Sequence, residues 1–283
     1  MKCRYVFLAP VFAFAACSQG EKQANDTTAA APETPAMASI DLVATDYAFQ
    51  APDTVSAGPT WVRMTNNGKE LHHVIIARID SGHTSDEFLK ELGAGKAPAW
   101  AKMIGGPIAP NPGGTPTQTA VPLAPGMYTL FCVVPTSDGI PHVAKGMVRQ
   151  MVVTPATAAA ASAPIVPTTT MTLTDYSFNL TTPLTAGKNT IRVVNSAAQP
   201  HEVIIVRLLP GKTVQDVAAF AEKLVGPPPA EVIGGASFIV GDVANFVELD
   251  LTPGDYGLLC FMPDAKDGKA HAVHGMIQAF KIG

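Results

Sequence analysis

The 283-residue sequence predicts an all-β protein of two tandem Greek-key β-sandwich domains, each with one short inserted helix. Three observations predict it: an internal duplication, short β-branched runs bounded by turn residues, and a composition poor in charge. Charged residues make up 15%, against 24 Gly and 25 Pro. That balance suits a turn-rich β protein better than a helical bundle. The length accommodates two ordinary domains, each able to bury a core.

The duplication sets the domain boundaries. Thr45-Asp46-Tyr47-Ala48-Phe49 recurs as Thr174-Asp175-Tyr176-Ser177-Phe178, a shift of 129. His72-His73-Val74-Ile75-Ile76 returns as His201-Glu202-Val203-Ile204-Ile205, and Ile104-Gly105-Gly106 as Ile233-Gly234-Gly235, at the same shift. Leu123-Ala124-Pro125-Gly126-Met127-Tyr128 matches Leu251-Thr252-Pro253-Gly254-Asp255-Tyr256 at 128, and Gly146-Met147 matches Gly275-Met276 at 129 again. Residues 155–167 are rich in Ala, Thr and Pro and read as a linker. The expected domains are therefore 38–154 and 168–283.

The N-terminus reads as an address. Met1-Lys2-Cys3-Arg4 is positively charged, and the 12 residues from Tyr5 to Ala16 are largely apolar. Such a run is too short for a membrane-spanning helix and fits a secretory signal over 1–16. Phe14-Ala15-Ala16-Cys17 resembles a bacterial lipobox, with Cys17 as the lipidated residue. Phe14 stands where Leu is usual, which leaves ordinary cleavage after Ala13-Phe14-Ala15 as the alternative. Residues 17–37 have almost nothing to bury and read as a disordered tether. The expected location is the periplasm or cell surface, with the membrane met only through the lipid. With 19 basic residues against 23 acidic ones and no basic block, nucleic acid is not an expected partner.

Within each copy the pattern is mainly strand. Trp61 to Met64 and Thr190 to Val194 alternate or run β-branched, and Asn66-Asn67-Gly68 supplies a turn. His72 to Ile79 and His201 to Leu208 are apolar runs; Met127 to Val134 and Tyr256 to Met262 follow Pro-Gly turns. Gly146 to Val153 and Gly275 to Ile282 close the copies. One helix per copy is expected, over Ser85 to Leu92 and Thr213 to Leu224.

The histidines carry the functional signal. Copy one has His72, then Cys132, His142 and Met147; copy two has His201, then Cys260, His271 and Met276. The spacing is C-x9-H-x4-M in the first and C-x10-H-x4-M in the second. Two imidazoles, a thiolate and a weak thioether form the ligand set of a blue-copper centre, because soft sulfur favours Cu(I) while imidazole suits both oxidation states. Singly, each residue also has an ordinary reading, as a buried thiol or a core methionine. His73 and His274 face Glu202 and Lys145 at the equivalent positions, so they are expected beside the ligands or at the surface, and His83 in solvent.

On these residues, together with the Leu-x-Pro-Gly-x-Tyr-x3-Cys runs at 123–132 and 251–260, the chain resembles the type 1 copper proteins, the cupredoxins. The resemblance implies copper as cofactor. It implies His72 and His201 as upstream imidazole ligands, Cys132 and Cys260 as thiolates, His142 and His271 as second imidazoles, and Met147 and Met276 as axial thioethers. The Cys-to-His spacing is longer than small blue proteins usually have, so the loop is expected to be less pre-organised. Multicopper enzymes need further copper held by His-x-His pairs or by a His beside the type 1 Cys. Here Phe131 and Leu259 precede the cysteines and no His-x-His occurs. The expectation is therefore an electron-transfer protein and not an enzyme, with a redox partner protein or a copper donor or acceptor as partner. A copper chaperone or store, and a metal-free binding module, are the alternatives.

Overall fold

The computed structural model describes residues 37–156, 164–241 and 243–283. The expected signal, Cys17, nearly all of the tether and the middle of the linker lie outside the described residues. Among the described residues no helix is long and apolar enough to cross a membrane.

Copy one runs β1 (Ala38–Thr45), β2 (Ala48–Gln50), β3 (Thr54–Ser56), β4 (Gly58–Asn66), β5 (Ile75–Ile79), α1 (Ser85–Gly93), β6 (Ala101–Met103), β7 (Thr117–Leu123), β8 (Gly126–Phe131) and β9 (Val148–Thr154). Copy two runs β10 (Thr169–Thr174), β11 (Ser177–Leu180), β12 (Gly187–Asn195), β13 (His201–Leu208), α2 (Val214–Lys223), β14 (Ala230–Ile239), β15 (Asn245–Leu251), β16 (Gly254–Leu259) and β17 (Ile277–Ile282). A 3₁₀ turn, His142–Lys145 in one copy and His271–His274 in the other, precedes each last strand. The fold is all-β, with one helix per copy.

Alternation places the core. In copy one, Leu42, Val62, Met64, Val121 and Leu123 point inward from one sheet and meet Ile76, Leu130, Met151 and Val153 from the other. Copy two repeats this with Met171, Leu173, Val193 and Leu249 against Val203, Ile205 and Leu258. Both helices start on a threonine. Thr84 and Thr213 accept from the third residue's N–H, while Glu87 and Asp216 reach back to the threonine N–H. After each Pro-Gly turn, a buried tyrosine donates its hydroxyl four residues back, Tyr128 to the Ala124 carbonyl at 2.8 Å and Tyr256 to Thr252 at 2.7 Å.

The copies differ most in the strand that follows the helix. β14 spans ten residues, whereas β6 spans three. Pro107 and Pro110 stand where copy two has Ala236 and Ile239, and proline offers no N–H to a ladder. β5 accordingly begins at Ile75, and His73 makes only an isolated bridge to Ile108.

The two copies share a sheet. β15 pairs antiparallel with β7 (Phe246 with Ala120, Val247 with Thr119), giving one sheet of eight strands in the order β11-β10-β12-β15-β7-β4-β1-β2. Beside it lie a four-stranded sheet, β14-β13-β16-β17, and a five-stranded one, β3-β9-β8-β5-β6. Buried side chains bond across the seam: Thr119 Oγ1 to the Gly235 carbonyl at 2.6 Å, Ser237 Oγ to Val74 at 2.6 Å, and Asn245 Nδ2 to Ile104 at 2.9 Å.

Candidate metal centres

Each copy gathers two histidines and a cysteine into one buried cluster: His72, Cys132 and His142, and likewise His201, Cys260 and His271. The upstream histidine sits just before β5 or at the head of β13. The cysteine is the first residue after β8 or β16, and the second histidine opens the 3₁₀ turn.

The loop between cysteine and last strand is tied by its own backbone. In copy one, Val143 N–H donates to the Cys132 carbonyl (2.7 Å), Cys132 N–H to Met147 (3.3 Å), Met147 N–H to His142 (3.0 Å) and His142 N–H to Val134 (2.9 Å). Copy two reproduces all four bonds between Ala272, Cys260, Met276, His271 and Met262. The extra residue of its loop leaves them unchanged. The added length, from which a less pre-organised loop was expected, is taken up by an internal hydrogen-bonded turn. Met147 and Met276 are fully buried and share the cores with Cys132 and Cys260.

The ring nitrogens decide what the clusters suit. His72 Nε2 faces Asp46 Oδ1 at 3.3 Å and His142 Nε2 faces Glu70 Oε2 at 2.9 Å. A nitrogen facing a carboxylate carries a proton, which leaves Nδ1 as the ring nitrogen that each histidine offers to the cluster. Those two Nδ1 atoms lie 3.1 Å apart, with Cys132 Sγ 3.5 Å from His142 Nδ1. Three potential donor atoms thus converge in one dry site. Donor identity (two imidazoles and a thiol) fits copper.

In copy two, Cys260 Sγ lies 3.4 Å from His271 Nδ1 and 3.9 Å from His201 Nδ1, and His201 Nε2 meets Asp175 Oδ1 at 3.0 Å. His271 differs from its counterpart. Gln199 replaces Glu70, Asp264 Oδ2 stands 3.8 Å away, and His271 Nε2 has no hydrogen-bond partner.

Burial favours the neutral form of the cysteines and of the histidines it shifts. It pushes the Cys132 thiol up to about 12, and Cys260 further the same way with Glu202 adding to it. Burial lowers His72, His201 and His271, opposed by Asp46, Asp175 and Asp264 respectively. Burial keeps each thiol protonated in the metal-free site, so binding a metal releases the thiol proton.

Sequence reasoning registered the repeated Thr-Asp-Tyr motif but not its work. Tyr47 and Tyr176 hold left-handed backbone angles, φ 75° and 66°, uncommon for a bulky residue. That turn aims Asp46 and Asp175 at the upstream histidines and lays each tyrosine edge-on to the downstream one, centroids 5.1 Å and 5.6 Å apart. Tyr47 also donates to Glu70 Oε1 at 2.8 Å, and Tyr176 to Asp264 Oδ2 at 2.5 Å. Asn66 and Asn195 pin the intervening loop, bonding the Glu70 and Gln199 carbonyls at 2.9 and 2.8 Å. Repetition of an Asp-Tyr pair at a turn, where composition drifts freely, was the available signal.

Of the remaining histidines, His83 stacks on Trp100 with centroids 4.1 Å apart and is part-exposed. His274 pairs with Asp267 at 3.1 Å, where copy one has Lys145 paired with Asp138 at 3.3 Å. Asp264, Asp267 and His274 also converge. Asp264 is, however, engaged by Tyr176, Gln199 and the Lys266 N–H, so the group reads as an ion pair retained from the duplication. His73 is buried, not exposed.

No family model and no curated protein matches the chain. Solved structures similar to it include an auracyanin from Roseiflexus castenholzii, 22% identical, covering 43% of this chain and 100% of that one (TM-score 0.27). A blue copper oxidase from Nitrosomonas europaea is 14% identical, covering 87% and 86% (TM-score 0.26). A copper nitrite reductase from the same organism is 15% identical, covering 88% and 94% (TM-score 0.23). The last two correct one expectation from the sequence. The chain was not expected to be an enzyme, yet these two structures, matched along most of its length, are an oxidase and a nitrite reductase.

Proposed function

We propose that this protein binds one copper ion in each copy and passes single electrons. The observation that carries the reading is the pair of dry sites in which two imidazole nitrogens and a thiol converge. Copper there would supply a one-electron couple. The chain would supply a site that suits both oxidation states: carboxylates fix the imidazole orientation, the hydrogen-bonded loop fixes the cysteine, and burial excludes water. Met147 and Met276 are proposed as the weak axial donors. The partner is a redox protein met from outside the cytoplasm. Reconstitution should give two copper ions per chain, an intense visible band and reversible one-electron reduction. Copper bound as Cu(I) without reversible reduction would turn the reading to storage or delivery.

The location is proposed on the N-terminal sequence alone. Lipidated at Cys17, the chain would sit at a membrane surface outside the cytoplasm. Cys17→Ser should move it from the membrane to the soluble fraction of lysed cells. A wild-type chain already soluble would rule the anchor out.

A further inference from the structure

His73 and Glu202 belong to neither three-donor cluster, yet each is bonded to one. They occupy equivalent positions, one residue after His72 and His201. In copy two, Glu202 N–H donates to Cys260 Sγ at 3.4 Å, and Glu202 Oε1 accepts from Phe261 N–H at 3.0 Å. In copy one, His73 N–H bonds the Cys132 thiol, and His73 Nε2 accepts from Val133 N–H at 3.2 Å. Each residue thus grips its cysteine twice, at the sulfur and at the next amide.

The two side chains then meet across the seam. His73 Nδ1 lies 4.0 Å from Glu202 Oε2, with His73 8% and Glu202 3% exposed. Because Nε2 accepts from Val133, the proton of the neutral ring sits on Nδ1, facing Glu202. Glu202 Oε2 has no hydrogen-bond partner of its own. Ile108, Phe238 and Phe261 line the apolar cleft of about 510 Å³ beside the pair. The duplicated position has diverged into complementary residues. Two glutamates there would set like charges against each other in a dry seam, and two histidines would offer no acceptor.

We propose that His73 and Glu202 form the connection through which one electron passes between the two copper centres, an inference that rests on the electron-transfer reading above. Each passage oxidises one centre and reduces the other by one electron; no bond forms or breaks and no proton is needed. The contacts run from Cys132 through His73 and Glu202 to Cys260. This chain of bonds is interrupted only by the 4.0 Å step.

The test uses the full copper-loaded chain. A light pulse with a small photoreductant delivers less than one electron per molecule, and rapid-freeze electron paramagnetic resonance follows its redistribution. The unlike carboxylate contacts of His142 and His271 distinguish the centres. Wild type should show a phase independent of protein concentration. Glu202→Gln, which keeps an acceptor for Phe261, should retain it; Glu202→Ala and His73→Leu should lose it while the chain still holds two copper ions that each reduce reversibly. A phase of wild-type rate in both disruptive variants would overturn the proposal. Centres that reduce reversibly in wild type with no such phase overturn the connection alone, whereas absence of reversible reduction overturns the electron-transfer reading itself. A metal-free measurement covers variants that fail to fold: in ¹⁵N-labelled apoprotein, Glu202→Gln should shift the Val133 amide resonance in the other copy. An unmoved Val133 resonance contradicts the link.

Discussion

Replacing Cys260 by serine should remove one copper ion per chain and the visible absorption of the second centre, leaving the first intact. The thiol is the strong soft donor beside the two imidazoles, 3.4 Å from His271 Nδ1 and 3.9 Å from His201 Nδ1. A hydroxyl in its place is a hard, poorly acidic donor that does not hold Cu(I), and the sulfur-to-metal charge transfer is lost with the sulfur. His271→Ala should weaken or abolish binding, because it deletes the donor that the 3₁₀ turn presents. Met276→Leu should keep copper and colour but raise the potential, since losing an axial donor to an apolar side chain costs Cu(II), which takes more donors, more than Cu(I). His274→Ala is the control. Its ring pairs with Asp267 on the outer side of the turn and should not matter. Metal analysis with an optical spectrum reads all four. Copper lost from His274→Ala but kept in His271→Ala would show that the loop has been read in the wrong register. Indifference to all four would mean that Cys260 is a packed core thiol.

Gly235→Ala should destabilise the whole described fold by on the order of 3 kcal/mol, a drop in Tm of roughly 5–10 °C for a chain of this size. Gly235 and its equivalent Gly106 have φ of 142° and 153°. A Cβ at Gly235 would meet the Val203 carbonyl and, from the other copy, the Ile108 side chain; at Gly106 it would meet the Val74 carbonyl. Val74 and Val203 follow His73 and Glu202 directly, so the crowding falls on the strands that carry the upstream ligands. The carbonyls of Gly106 and Gly235 also accept seam bonds, from Ser237 N–H at 2.8 Å and from Thr119 Oγ1 at 2.6 Å. Thermal unfolding of Gly235→Ala beside Gly93→Ala makes the comparison, since Gly93 ends α1 with open space around it and no left-handed backbone. Equal melting temperatures for the two variants would mean that the close approach at the seam is not needed.

What the sequence determined by itself is local. Cysteine, second histidine and methionine lie within one loop that closes on its own backbone, so their order and spacing survive as geometry. The alternating runs, the capping threonines and the Pro-Gly turns act within a few residues, and the duplication showed each of them twice. The tertiary structure alone decided which ring nitrogen faces inward. That choice depends on Asp46 reaching His72 over 26 residues and Glu70 reaching His142 over 72. It also decided that β7 and β15 join the copies, that Ser237 bonds Val74 across 163 residues, and that His73 meets Glu202. Such contacts follow from strand register and from the packing of one copy on the other. A hydrophobic pattern specifies which face of a strand is buried, but not which distant partner that face will meet.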